Sequence, residues 1–210
     1  MSSIALYIMA TFSLLVSVTA NAGLINLVKN GSFENTSNMS ALGGHGSSNT
    51  WQIYSTIPNW SASKNVEIWT NNFIVPAYDG NNVLELNAHS ANFGGQFSIF
   101  QTISTDIGQT YNLSFVGRRR DANSDEGFSV SIGDLFVPVT NQLAGQWNEY
   151  NYQFKAVSNV SMLTFTSLDN GRDTTGNIFD DVQITPVSEP STLLMLGLAL
   201  TGLFVRKYKR

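Results

Sequence analysis

Trp147-Asn148-Glu149-Tyr150-Asn151-Tyr152-Gln153-Phe154 puts Tyr150, Tyr152 and Phe154 on one side of an extended chain and Glu149, Asn151 and Gln153 on the other. Successive side chains of a strand point to opposite faces, so the stretch reads as a strand with one face in a core. The same period of two recurs over Val83–Asn87, Phe97–Ile103, Tyr111–Val116, Phe128–Ile132, Ser161–Thr166 and Ile178–Ile184. Asp79-Gly80-Asn81, Asp106-Ile107-Gly108, Gly133-Asp134 and Asp169-Asn170-Gly171 punctuate the runs as turns. No long apolar stripe of helical period lies between them. The pattern predicts an all-β domain, a sandwich or jelly roll.

The two ends differ from this body. An uncharged apolar run from Ile4 to Val18 closes on Ala20-Asn21-Ala22, the small-x-small pattern that signal peptidase reads, so residues 1–22 are expected to be a signal peptide with Ala20 and Ala22 at its cleavage site. The other end runs Ser188-Glu189-Pro190-Ser191-Thr192, then apolar residues to Val205, then Arg206-Lys207-Tyr208-Lys209-Arg210. Residues 191–205 predict one short transmembrane helix whose basic end stays cytoplasmic. The order Glu-Pro, Ser-Thr, apolar stretch, basic end resembles the PEP-CTERM sorting tail of Gram-negative bacteria, with Ser188 where that family usually has proline. The resemblance implies that the tail, residues 187–210 with its motif at 188–192, holds the chain in the inner membrane until an exosortase removes it. The body would then pass to the cell surface or extracellular matrix.

Between these ends, residues 23–186 make one domain's worth of chain. There is no cysteine, so an exported domain must hold by packing, or by packing plus a metal ion. All 15 acidic residues lie between Glu34 and Glu189, and only seven of the 11 basic residues precede Arg206. Seven positive against 15 negative charges leave a net of −8 ahead of the basic end, which disfavours a nucleic-acid partner, and none is expected. Arg118-Arg119-Arg120, followed by Asp121, Asp125 and Glu126, reads as a solvated, locally neutralised loop, with an anion site as the alternative.

The body opens with Asn26-Leu27-Val28-Lys29-Asn30-Gly31-Ser32-Phe33-Glu34 and closes with Ile178-Phe179-Asp180-Asp181-Val182-Gln183-Ile184. With Leu84-Glu85-Leu86-Asn87, Gln101-Thr102-Ile103, Thr105, Gly108, Tyr111, Leu113 and Phe115 between them, this series resembles the galactose-binding-like jelly-roll β-sandwiches. These include carbohydrate-binding modules and related domains of plant cell-wall proteins. The resemblance implies a structural calcium ion (Ca2+) where the first and last strands meet, held by Glu34, by Asp180 or Asp181, and by backbone carbonyls near Ser32. Alternation puts Asp180 on the inward face with Val182 and Ile184. The other reading of these carboxylates is a pair of solvated turn residues.

No catalytic constellation emerges. His45 and His89 have no metal-binding spacing, and no nucleophile elbow or phosphate loop is present. Glu67 and Glu85, in apparent strands, and Asp125 and Glu126, in a loop, could pair for glycoside hydrolysis but read as surface residues. Binding suits the composition better. Sugar rings stack their C–H faces on flat aromatics while amides bond the hydroxyls, and Trp51, Tyr54, Trp60, Trp69 and Tyr78 stand among Asn59, Asn65, Asn71 and Asn72. The sequence therefore predicts an exported, non-catalytic surface or matrix protein that binds glycan or exopolysaccharide. A purely structural matrix protein is the alternative, and a glycoside hydrolase a more distant one.

Overall fold

The computed structural model describes residues 25–44, 50–70, 73–86, 96–120, 126–168 and 175–188. Ala20, Ala22, His45, His89, Asp121, Asp125 and the tail from Glu189 onward, with the expected transmembrane helix, lie outside the described residues. Among the described residues there is no helix long and apolar enough to cross a membrane.

The strands are β1 (Gly43–Gly44), β2 (Trp51–Ile57), β3 (Trp60–Trp69), β4 (Val83–Glu85), β5 (Ser98–Ser104), β6 (Thr110–Arg119), β7 (Phe128–Ile132), β8 (Leu135–Val139), β9 (Asn148–Lys155), β10 (Val160–Ser167) and β11 (Asn177–Pro186). They pair antiparallel in the order β8-β7-β10-β5-β3-β4-β11-β6-β9, with β2 beside β3 and β1 beside β2. β3 turns the corner between two layers: Ser61 and Ala62 pair with β5, whereas Glu67, Ile68 and Trp69 pair with β4. The result is an all-β jelly-roll sandwich. β2 and β3 are joined by Pro58-Asn59, with Ile57 opposite Trp60 and Asn59 at φ 70°. Proline at the first central position and a left-handed asparagine at the second are what a type II turn requires.

The main core fills the space between the layers. Phe115, Phe128, Phe165 and Phe179 meet there, with Phe128 and Phe179 edge to face at 4.9 Å and Phe115 and Phe165 likewise at 5.0 Å. Each fully buried phenylalanine contributes about 1.5–3 kcal/mol by removal from water, and edge-to-face pairing adds to it. Tyr150, Tyr152 and Phe154 of β9 line this core as their alternation predicts.

The opening motif closes the sandwich along β11. Leu27 N–H donates to the Ile184 carbonyl at 2.8 Å, and Val182 N–H donates to the Gly31 carbonyl at 3.1 Å. Phe33, at φ 58°, is fully buried against Trp60, ring centroids 5.7 Å apart.

β11 departs from regular alternation. Its register with β6 shifts between Asp180 and Gln183, and Asp181 sits at φ 48°. A bulge inserts one residue and reverses which face the next side chain meets. Phe179, Val182 and Ile184 consequently share the main core, and Asp180 turns to the opposite face. The expectation that Asp180 points inward with Val182 and Ile184 is thus corrected. The arginine run is corrected too: Arg118 and Arg119 end strand β6 rather than forming a loop.

Candidate ligand-binding site on the outer sheet face

The layer containing β3, β4, β11 and β6 is covered on its outer face by residues 73–82. Val66, Ile68, Leu84 and Phe179 point into the main core, so the alternate residues Glu67, Trp69, Val83, Glu85 and Ile178 point outward. Register places Glu67 opposite Glu85, Glu85 opposite Ile178, and Ile178 opposite Arg118. One row further, Trp51 lies opposite Trp69 and Trp69 opposite Val83. Trp69, Val75, Val83 and Ile178 form a second small core, with Trp51, Ile74, Ala77 and Trp147 packed on it.

The two glutamates read as surface residues are instead fully buried, and Glu126 is buried as well. The Glu85 carboxylate accepts the Trp69 indole N–H at 2.6 Å and the Gly176 N–H at 2.6 Å, and Arg120 lies 3.4 Å from it. Arg120 in turn rests over the Trp69 ring at 4.9 Å. Burial pushes the Glu85 carboxyl up to about 8, against the pull of Arg120 and with a smaller push from Glu67. The folded chain therefore keeps a proton that the unfolded chain releases from about pH 4.5, and stability falls as pH rises from there to about 8. Urea unfolding is expected to show a loss on the order of a few kcal/mol across that window, and Glu85→Gln to remove its upper part.

Around this buried base the aromatics reach solvent. Phe73 stacks on Trp69 at 5.9 Å with its ring planes 6° apart, and is 61% exposed. Tyr78, 47% exposed, meets Trp147 edge to face at 6.3 Å and donates its hydroxyl to Glu149 at 3.1 Å. The Trp147 indole N–H donates to the Pro76 carbonyl at 3.1 Å, tying the β9 approach to the covering loop. This is an amphipathic surface: flat rings outside, with the Glu85 carboxyl and the Arg120 guanidinium fixed behind them.

Of the five aromatics expected to meet ligand, Trp51, Trp69 and Tyr78 belong to this face. Trp60 and Tyr54 go to the main core, where the Trp60 indole donates to the Asn30 carbonyl at 3.1 Å and Tyr54 bonds Gln52 at 2.8 Å. Phe73, which stands in the same aromatic stretch of the sequence, completes the surface with Trp147, Arg118 and Arg120; Trp147 did not stand out in the sequence as a ligand contact, and the arginines read there as a solvated loop. An open groove of about 470 Å³ elsewhere, along Lys29, Thr56, Asn59, Ser61, Phe100 and Thr102, has no carboxylate in its lining.

The residues expected to hold calcium gather at the edge of the same covering loop. Asp180 is fully buried and accepts three backbone N–H groups: Tyr78 at 2.8 Å, Asp79 at 2.9 Å and Asp181 at 2.7 Å. Burial pushes its carboxyl up to about 7, while those three N–H groups pull it down. Glu34, exposed, accepts the N–H groups of Asn81 at 2.9 Å and Asn82 at 2.7 Å. Ser32 donates to Asp79 at 2.6 Å, and Asp181 accepts from Gln183 at 2.7 Å. These carboxylates meet N–H and O–H donors, and among the described residues no three acidic or histidine side chains converge to hold a metal.

A family model described as Protein of unknown function (DUF642) matches residues 26–185. The chain belongs to the DUF642 family. A PEP-CTERM protein-sorting motif follows at residues 186–210, implying export and surface localisation. The chain is 29% identical over 170 residues to Halomucin of Haloquadratum walsbyi; the match takes in 79% of this chain but only 2% of Halomucin's length. Among solved structures, TmCBM61 in complex with beta-1,4-galactotriose superposes with a TM-score of 0.53 at 16% identity, over 78% of this chain and 99% of that one. At that identity the likeness is one of fold, and it agrees with the jelly roll implied by the opening and closing motifs.

Proposed function

We propose that this chain is a non-catalytic surface protein whose DUF642 domain binds glycan on the outer face of the β3-β4-β11-β6 layer. Exosortase processing of the tail would deliver it to the cell surface or extracellular matrix of a Gram-negative bacterium. The observation that carries the reading is the exposed rings of Phe73 and Tyr78, with half-buried Trp147 beside them, above a fully buried Glu85 paired with the partly exposed Arg120. A sandwich core has no need of such an arrangement, whereas a sugar ring needs flat faces beside fixed polar groups. The galactotriose bound by TmCBM61, which shares the fold, agrees with this chemistry.

Glu67 and Glu85 do not suit a hydrolase. Both are fully buried, and Glu85 is engaged by an indole, a backbone amide and an arginine, whereas a general acid must reach the leaving oxygen. Affinity electrophoresis of the whole chain through gels holding neutral or acidic polysaccharides tests the proposal. Retardation by at least one polymer supports it, and a flat response across the panel leaves the structural matrix reading in its place. A calcium ion at the Glu34–Asp180 corner is a separate proposal, resting on the family resemblance and the local acidic surplus. It stands if chelator lowers the melting temperature and falls if it does not.

A further inference from the structure

Two arginines stand on the outer face with different surroundings. Arg120 is paired with Glu85. Arg118, at the end of the Glu67–Glu85–Ile178 row, is only 8% exposed, and its guanidinium lies over the Trp147 ring at 5.7 Å. Its Nε donates to the Arg119 carbonyl at 3.4 Å, and among the described residues no carboxylate forms an ion pair with it. Glu149, opposite the neighbouring Val116, takes the Tyr78 hydroxyl instead. A largely desolvated guanidinium without an acidic partner is costly, and its planar donor fork matches a carboxylate. Here that fork lies against an indole face beside an exposed tyrosine, so the complementary ligand carries a carboxylate on a ring with apolar C–H faces.

We propose that Arg118, seated on Trp147, is the carboxylate-recognising position of the outer-face site, and that the polymer taken there contains uronic acid residues. The inference rests on the glycan reading of the same site and goes on to name the sugar class. It also makes use of a positive charge in a domain that is acidic overall.

Titration of the whole chain with polyuronates, each compared with its own carboxyl-reduced neutral form, tests it. The linkages are the same in each pair, so the comparison isolates the carboxylate. At least one polyuronate is expected to bind about tenfold or more tighter than its reduced form, with the advantage shrinking as salt is added. Arg118→Gln is expected to abolish that advantage, so that each polyuronate and its reduced form bind it within about twofold of one another. Thermal melting reports whether the variant folds. If it does not, Arg118→Lys decides, because it keeps the charge but not the planar fork, and the preference must fall in it. Equal binding of every pair, or a preference that survives in folded Arg118→Gln, overturns the inference and leaves the glycan reading standing. Binding of no polymer in either form removes both.

Discussion

Gly31→Ala is expected to be the most damaging single substitution in the domain, on the order of 4 kcal/mol or more. A Cβ built on Gly31 would lie 2.1 Å from the Val182 carbonyl oxygen and 3.0 Å from its carbon. Both are backbone atoms of the β11 bulge, so no side chain can rotate aside. Relief would require separating the opening segment from β11, breaking the Val182–Gly31 hydrogen bond and loosening Val182 and Phe33 from the core. Gly145→Ala is the matched control. Its φ of 81° carries some strain, but nothing lies within 4 Å of the added carbon, so a cost of about 1 kcal/mol is expected. Urea unfolding of the two variants checks the contrast. Equal losses would mean that the contact between the opening motif and the bulge does not govern stability.

Asp180→Ala is expected to cost up to about 3 kcal/mol and to loosen the covering loop. Three backbone donors, on Tyr78, Asp79 and Asp181, lose their acceptor; a fully buried orphaned N–H costs roughly 1–3 kcal/mol, and these part-buried ones cost about 1 kcal/mol each. Relief from burying a carboxylate offsets part of that sum, since the native carboxyl is pushed up to about 7. Because Tyr78 leads directly into this loop, Asp180→Ala should also weaken glycan retention more than its stability loss alone explains. Hydrogen exchange provides the local readout: the Tyr78 and Asp79 amides are expected to speed up before those of β6 and β10. A uniform change would show that Asp180 supports the whole sandwich and not the loop.

How much of this was legible in the sequence followed from burial. β5, β6, β7, β9, β10 and β11 announce themselves because one face meets the core and the other meets water or polar neighbours, which gives clean alternation. The end of β3 does not: Val66, Glu67, Ile68 and Trp69 are all buried, two in the main core and two on the outer face, so the period of two disappears. β8 hides behind Pro138, which reads as a break in a sequence although an edge strand tolerates it. The positive φ of Asp181 reverses parity in β11, and nothing in the alternation signals a bulge at a non-glycine residue.

The site was half visible for a related reason. Trp51, Trp69 and Tyr78 stood out as aromatics among amides, but Trp60 carries the same signal and serves the core. Glu67 and Glu85 read as surface residues in the sequence because carboxylates are rarely fully buried unless paired, and Arg120 and the Trp69 indole approach Glu85 only through the strand order β3-β4-β11-β6. Trp147 sits just before a strand that advertises its own core face, and the covering loop that joins it to Tyr78 is distant in sequence.

The glycan site on the outer face is tested most directly by polysaccharide retention of the double variant Phe73→Ala/Tyr78→Ala beside Phe136→Ala. All three rings are exposed, Phe136 on the other layer, so their removal should leave the melting temperature nearly unchanged. Retention is expected to fall about tenfold or more in the double variant and to stay at the wild-type level in Phe136→Ala. Full retention by the double variant, or loss of retention in Phe136→Ala, would contradict the placement of the site.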